Sequence, residues 1–143
     1  MLVAIGSAAV IVLVITLIAT SGGDDPKRTN TRTTEATQRA SLDEALDAVC
    51  EPGSFRNGAR TGFENSDSGG ICASRAERQY LYIGTYSSSY GLMTDTSTGF
   101  VTYYAVGTLT DGQTLLFATS GESSTTPLQP LTSLGFTINR GQR

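Results

Sequence analysis

The stretch FVTYYAVGTLTDGQTLLFAT, residues 100–119, carries the strongest fold signal in the chain. Aromatic, β-branched and other apolar residues dominate its two arms, Phe100–Val106 and Gln113–Thr119, as is typical of β-strands. Between the arms lies Thr110-Asp111-Gly112, and Asp-Gly is a strong signal for a tight hairpin turn. The stretch therefore predicts two antiparallel strands joined by this turn.

Two more strands are predicted upstream of the hairpin. In Gln79–Tyr86, tyrosines alternate with apolar or β-branched residues, which is the period-two pattern of a strand with two different faces. Gly70–Ser74 is a shorter candidate. The preceding residues 53–70 are polar and rich in glycine, so we expect a loop with at most a short strand at Phe55 and at Phe63.

A helix is predicted over residues 41–50, SLDEALDAVC. Ser41 and Glu44 form a capping box, in which each side chain binds the other residue's backbone N–H. One apolar stripe at helical spacing consists of Leu42, Ala45, Leu46 and Val49. The helix is expected to end at Pro52-Gly53.

The C-terminal tail predicts two short elements. Leu128–Leu134 is expected to form a short helix that Gly135 stops, and Phe136–Ile138 a closing strand. One helix followed by hairpin-linked strands indicates an α+β fold. We predict an N-terminal transmembrane helix, then a small antiparallel sheet of about four to five strands with one to three helices packed on one face.

The beginning of the chain predicts a membrane anchor. Residues 2–20 form a run of 19 residues without a charge, Pro, Asn or Gln. A helix of this length covers about 28 Å, close to the roughly 30 Å hydrocarbon core of a bilayer. Ala19-Thr20-Ser21 is a passable signal-peptidase site, so a cleaved signal peptide is the alternative. The run lacks a basic n-region and exceeds the usual length of about 7–15 residues, which favours an uncleaved anchor.

The chain is divided accordingly into three parts. Residues 1–22 are the predicted anchor, and residues 23–40 a flexible polar tether, because they contain no Leu, Ile, Val or aromatic residue. Residues 41–143 are the predicted α+β domain. It carries six arginines against ten acidic residues, a formal charge of −4, which disfavours nucleic acid as a partner.

Charge and cysteine content conflict over the orientation of the anchor. Four basic residues follow the apolar run within residues 21–40 and none precedes it, so the positive-inside rule read literally places the domain in the cytoplasm. Cys50 and Cys72 oppose this reading, since a disulfide between them requires an oxidising compartment. The abrupt start inside the apolar run opposes it too, because it indicates a lost basic leader. We expect an extracytoplasmic domain; buried free thiols are the alternative in the cytoplasm.

The disulfide would stabilise a small core. It would close a loop of about 22 residues and contribute roughly 3 kcal/mol in the chain-entropy estimate. It would also attach the end of the first helix to the first strand. Two cysteines without any histidine do not supply the four ligands of a structural zinc site.

The residues that activate a serine in the common nucleophilic sites are missing from the predicted domain. The chain has no histidine, so the serine cluster Ser87, Ser88 and Ser89 has no imidazole base. The one lysine, Lys27, lies in the predicted tether. We expect these serines to end the strand and to cap a following turn or short helix through their hydroxyls. We predict no enzyme activity and no cofactor.

Acidic side chains leave one catalytic alternative open. Asp43, Asp47 and Glu51 have the i, i+4 spacing of a solvated helix face. Residues 64–70, ENSDSGG, resemble a calcium loop, but the register of the EF-hand pattern does not fit, and no metal site is predicted. A small envelope hydrolase would need two carboxylates that converge in a pocket, with at least one pKa shifted by burial.

Tyrosines supply the candidate binding surface. Tyr80, Tyr82 and Tyr86 share one face of the predicted strand, and a tyrosine of the hairpin is expected beside them. An exposed row of this kind would bind a ligand or a protein, whereas the alternative is a face packed under helices. Two nearby arginines would bind an anionic ligand or pair with acidic neighbours. The predicted surface comprises Tyr80, Tyr82, Tyr86, Tyr103, Tyr104, Arg75 and Arg78.

The sequence thus predicts a single-pass membrane protein of the cell envelope. Residues 2–20 contact the lipid bilayer, and the extracytoplasmic domain binds a ligand or an envelope protein partner without catalysis. The alternatives are the carboxylate hydrolase and an auxiliary subunit of a membrane complex, in which Gly6–Ala9 offers small residues for close helix packing.

Overall fold

A computed structural model describes residues 39–121 and 123–142. The predicted anchor and all but the last two residues of the predicted tether lie outside these residues. No helix within 39–121 or 123–142 is long and apolar enough to cross a membrane. Ala40, assigned to the tether from sequence, is buried in the core, and its carbonyl accepts a hydrogen bond from the Thr110 N–H at 3.1 Å.

The described residues fold as a small α+β domain with a six-stranded antiparallel sheet and three helices. In chain order the elements are α1 (Leu42–Val49), β1 (Arg56–Asn57), β2 (Ser68–Ala73), β3 (Tyr80–Tyr86), α2 (Ser89–Thr96), β4 (Val101–Thr108), β5 (Thr114–Ser120), a 3-10 helix (Thr126–Leu134) and β6 (Thr137–Arg140). The α+β class is therefore confirmed. The sheet exceeds the predicted strand number because β1, only two residues long, pairs with β2.

The strands are ordered β1-β2-β3-β5-β4-β6 across the sheet. The Asp-Gly hairpin between β4 and β5 is confirmed: the Leu109 N–H donates to the Gln113 carbonyl at 2.8 Å, and Gly112 has a φ of +89°. A positive φ of this kind is the conformation that glycine adopts without steric penalty. Since β5 also pairs with β3 and β4 with β6, this hairpin lies in the interior of the sheet, where β5 is one of the two central strands.

The sheet has two faces with different coverage. On the helical face, α1 and the 3-10 helix cover Leu81, Ile83, Ala105, Leu115 and Phe117. The other side, which we call the aromatic face, carries Tyr82, Tyr86, Tyr104, Leu116 and Ala118. The expectation that the helices pack on one face is wrong for α2, whose Leu92 packs on the aromatic face. The helical face is already filled by the other two helices, so the crossover from β3 to β4 runs over the opposite side.

Helix α1 forms as the sequence predicts. The Glu44 N–H donates to the Ser41 hydroxyl at 3.2 Å, and the Ser41 N–H donates to a Glu44 carboxylate oxygen at 2.8 Å. The bond from the Ser41 N–H, and a second one from the Ser41 hydroxyl to the same carboxylate at 3.0 Å, lower the pKa of Glu44 from its ordinary value of 4.5. On the other side of the helix, Ala45 and Val49 are buried against the sheet.

The C-terminal elements also follow the prediction, with shifted bounds. The short helix is of the 3-10 type, has Pro127 in its first turn and ends at Gly135, which has a φ of +83°. The closing strand begins at Thr137 and not at Phe136. Phe136 instead turns into the core, where its ring meets Phe117 at a centroid distance of 6.1 Å.

The structure contains the predicted disulfide between Cys50 and Cys72, with the two Cα atoms 5.7 Å apart. Cys50 is the C-cap residue of α1, and Cys72 lies in β2, at the buried core of the helical face. The bond therefore attaches the end of the first helix to the sheet, as expected from the sequence.

Candidate functional site

The register of three strands brings two of the predicted tyrosines together on the aromatic face. Tyr82 of β3 and Tyr104 of β4 both pair with Ala118 of the intervening strand β5. Directly opposed residues of an antiparallel pair point to the same face, so the two tyrosines flank Ala118 at about two strand spacings, or roughly 9.6 Å. Both phenol side chains are half-buried, and together they cover the small alanine.

Phe100 extends this pair into an aromatic cluster. Its ring centroid lies 4.7 Å from that of Tyr82 with the ring planes at 81°, and 6.4 Å from that of Phe63. These are edge-to-face contacts, which aromatic rings prefer over a face-to-face sandwich. Phe100 remains 37% exposed, so the cluster presents apolar surface to the solvent.

The other predicted tyrosines lie in different surroundings. Tyr80 continues the row of Tyr82 and is 61% exposed, whereas Tyr86 at the other end of β3 is only 2% exposed. Tyr103 packs against the core of the helical face. The structure therefore places Tyr82, Tyr86 and Tyr104 on the aromatic face, with Phe100 against Tyr82. It covers Tyr86 and puts Tyr103 on the other face, while a binding role for this surface stays a prediction.

Tyr86 is buried because it binds Asp95 of α2. Its hydroxyl donates to Asp95 Oδ2 at 3.0 Å, and the same carboxylate accepts the Asn65 N–H at 3.1 Å and Asn65 Nδ2 at 2.8 Å. Asp95 is itself only 2% exposed. Burial raises the pKa of the Tyr86 phenol above its ordinary value, and the hydrogen bond to Asp95 and the charge of Asp95 raise it further.

This buried carboxylate was not predicted from the sequence. Asp95 stands in LMTDTSTG, a polar, threonine-rich stretch in which an aspartate is typical of a solvated turn. Its partners Asn65 and Tyr86 are 30 and 9 residues away. Only the crossover of α2 onto the aromatic face brings the three side chains together, and no local pattern reports that crossover.

The serine cluster serves a different purpose from the predicted cap. A short helix, α2, does follow it, but Ser88 at the N-cap makes no side-chain capping hydrogen bond. Ser87 instead donates both its backbone N–H and its hydroxyl to the carboxylate of Asp67. The hydroxyl of Ser87 thus ties the end of β3 to the residue before β2.

Arg75 donates hydrogen bonds to the C-terminal end of α1. Its Nε donates to the Cys50 carbonyl at 2.6 Å, and its backbone N–H donates to the Val49 carbonyl at 2.9 Å. A cation at this position satisfies the terminal carbonyls of α1 and complements the negative end of the helix dipole. The contacts of Arg75 are therefore explained by a structural role at the end of α1.

Arg78 and Tyr80 line a cleft at the end of the sheet where β2 ends and β3 begins. Its volume is about 260 Å³. We call it the β2–β3 cleft; it is lined by Glu51, Ala73, Ser74, Glu77, Arg78, Gln79 and Tyr80. It combines two carboxylates, a guanidinium group and an exposed phenol ring.

A larger and more open depression, of about 400 Å³, lies along the glycine-rich loop. It includes Glu64 of the calcium-like stretch, together with Arg60 and the buried Phe63. Among residues 39–121 and 123–142, no three His, Cys, Asp or Glu side chains are grouped so that they could hold a metal ion.

The described part of the chain is thus a disulfide-linked α+β domain with an aromatic cluster on one sheet face and a charged cleft at one end. Comparison of the chain with protein-family models, with curated proteins and with solved structures finds no match.

Proposed function

We propose that this chain is a single-pass membrane protein whose domain lies outside the cytoplasm and binds a protein partner of the envelope through its aromatic face. The supporting observation is a group of partly exposed aromatic side chains on the face opposite α1 and the 3-10 helix: Tyr82 with Phe100 against it, and Tyr104 on the far side of Ala118. Tyrosine and phenylalanine are enriched at protein interfaces because they offer large, rigid apolar area.

Two features support the proposed location. The apolar run of residues 2–20 has the length of a bilayer-spanning helix, and the disulfide between Cys50 and Cys72 is of the kind that persists in oxidising compartments. Positive charge after the run argues for the opposite orientation. We give the disulfide more weight, because a reducing cytoplasm would keep both thiols reduced and the bond would not form.

In the described part of the chain, the hydrolase alternative lacks a buried carboxylate that faces a pocket. Among the described residues, Asp95 is the one buried carboxylate, and it is engaged by Asn65 and Tyr86. Asp43, Asp47 and Glu51 line one depression of about 320 Å³ beside α1, but all three residues are exposed. We therefore propose the binding function alone.

Site-specific photo-cross-linking in cells tests the proposed surface. Tyr104 is replaced by benzoylphenylalanine in the full chain, and the same replacement at Tyr103 is the matched control, since these neighbours point to opposite faces of β4. We expect a cross-linked product of discrete mass from position 104 and none from position 103. Equal products from both positions, or none from position 104, would contradict the proposal.

A further inference from the structure

We propose that the β2–β3 cleft binds a small zwitterion that carries an ammonium and a carboxylate group, of the size of an amino acid or a dipeptide. This inference rests on neither the membrane anchor nor the aromatic face. It follows from the rigidity of the cleft, from an incompletely satisfied carboxylate in its wall, and from the two signs of charge that it presents.

The backbone of the cleft walls is fixed by hydrogen bonds. On one side, the Ser74 N–H donates to the Gln79 carbonyl at 2.9 Å, and the Gln79 N–H to the Glu77 carbonyl at 2.8 Å. On the other side, the Glu51 N–H donates to the Ala73 carbonyl at 2.8 Å, one residue beyond the disulfide. A site fixed in this way loses little conformational entropy when a ligand binds.

The Glu77 carboxylate is oriented but not saturated. Its Oε1 accepts the Ser124 hydroxyl at 2.6 Å, and its Oε2 accepts Gln79 Nε2 at 2.9 Å. An ionised carboxylate offers about four acceptor positions, so about two remain for a ligand. Glu51 supplies a second carboxylate in the same cleft. These groups favour a ligand ammonium.

Arg78 supplies the opposite charge. Arg78 is exposed and is one of the residues that line the cleft, and a guanidinium group binds a carboxylate through two parallel hydrogen bonds. A ligand with a single charge would leave either the arginine or the carboxylates of the cleft without a partner. Tyr80 offers an exposed ring to the body of the ligand. The volume of about 260 Å³ lies just below that of sites for drug-sized ligands, roughly 300–1,000 Å³, which indicates a small molecule.

The experiment is a ligand titration of the isotope-labelled full chain in detergent micelles, followed by NMR chemical shifts at about pH 6.5, where amino groups are protonated. Glycylglycine is the zwitterionic probe, glycinamide carries only the cation, and N-acetylglycine carries only the anion. We expect saturable shifts at cleft residues with glycylglycine at millimolar concentrations. Each single-charge probe should bind at least about tenfold more weakly, since one charge-assisted contact is lost.

Variants locate the carboxylate contact. Arg78→Gln should weaken glycylglycine binding about tenfold, to the level of glycinamide, whereas Arg56→Gln in β1, outside the cleft, should leave it unchanged. The proposal is overturned if glycylglycine causes no saturable shift, if all three probes bind equally, or if Arg78→Gln binds like the unaltered chain. Dispersed amide spectra of both variants establish that they are folded.

Discussion

The buried Asp95 carboxylate determines which tyrosines of the aromatic face are exposed. It holds α2 to β3 through Tyr86 and to the preceding loop through Asn65, and all three groups are satisfied within the protein. Tyr86 is covered as a result, while Tyr82, four residues earlier on the same face of β3, is half-buried. One carboxylate thus limits the surface that is left for a partner.

Removing the Tyr86 hydroxyl should destabilise the domain. In Tyr86→Phe the buried Asp95 carboxylate loses a donor that no solvent molecule readily replaces, so we expect a loss of about 1–3 kcal/mol in the free energy of unfolding. Chemical denaturation of the full chain in detergent measures this loss. Tyr90→Phe is the matched control, since Tyr90 is 70% exposed and should change stability little. Equal stabilities of the two variants would contradict the role assigned to Asp95.

The same tyrosine predicts a loss of stability at alkaline pH. The pKa of Tyr86 is raised in the folded state, so its contribution is fully present below the unfolded tyrosine pKa of about 10 and is lost as the pH rises beyond it. The free energy of unfolding should therefore fall more steeply above about pH 10 in the unaltered chain than in Tyr86→Phe. Denaturant titrations at several alkaline pH values test this, and identical slopes would contradict it.

At the residue scale, the sequence predicts which side chains share a face but not which of them are exposed. The alternation along β3 correctly places Tyr80, Tyr82 and Tyr86 on one side. Whether each is accessible depends on α2 and on the loop around Asn65, which lie far away in sequence. The two-residue alternation of a strand does not indicate which of its side chains another element covers.

At the element scale, the strongest local signals predict the structure best. The Asp-Gly turn, the capping box and the stop at Gly135 each fix a backbone geometry within a few residues, and each is found. β1 begins one residue after Phe55, where a short strand is expected from the sequence, but none forms at Phe63. Two residues carry no period, and the pairing of β1 with β2 is a tertiary contact that the sequence does not indicate. The position of α2 was not predicted either, because the weak apolar stripe of this helix does not indicate which face of the sheet it covers.

The capping box of α1 predicts an acid-dependent contribution to stability. The pKa of Glu44 is lowered in the folded state, so its contribution is present above the unfolded value of about 4.5 and is lost as the pH falls through the folded pKa. Glu44→Gln keeps the hydrogen-bonding shape but not the charge. We expect the unaltered chain to be the more stable of the two at neutral pH, with the difference vanishing in acid.

Helix unfolding followed by circular dichroism at several pH values measures this difference. Asp47→Asn is the matched control, because Asp47 is an exposed acid of the same helix outside the capping box. A difference between Glu44→Gln and the unaltered chain that persists unchanged into acid would show that the charge of Glu44 is not the cause.

At the scale of the whole molecule, the disulfide compensates for a small core. It joins α1 to β2 within the main apolar cluster and closes the glycine-rich loop that connects them. Replacing both cysteines by alanine should lower the free energy of unfolding by about 3 kcal/mol, mainly because the unfolded chain regains the conformational entropy that the bond removes. Urea titration of the full chain in detergent measures the effect, and an unchanged midpoint would contradict it.

The location of the domain decides the proposed function, and the redox state of Cys50 and Cys72 in living cells tests it most directly. Both cysteines are buried, so labelling of native cells would report poor access as readily as oxidation. Cells that make the full chain are therefore quenched in acid, and the protein is denatured and treated with a maleimide-polyethylene glycol reagent, with and without prior reduction. We predict a mass increase from two labels only after reduction. Two labels without reduction would place the domain in a reducing compartment and would contradict the envelope partner and the extracytoplasmic location together.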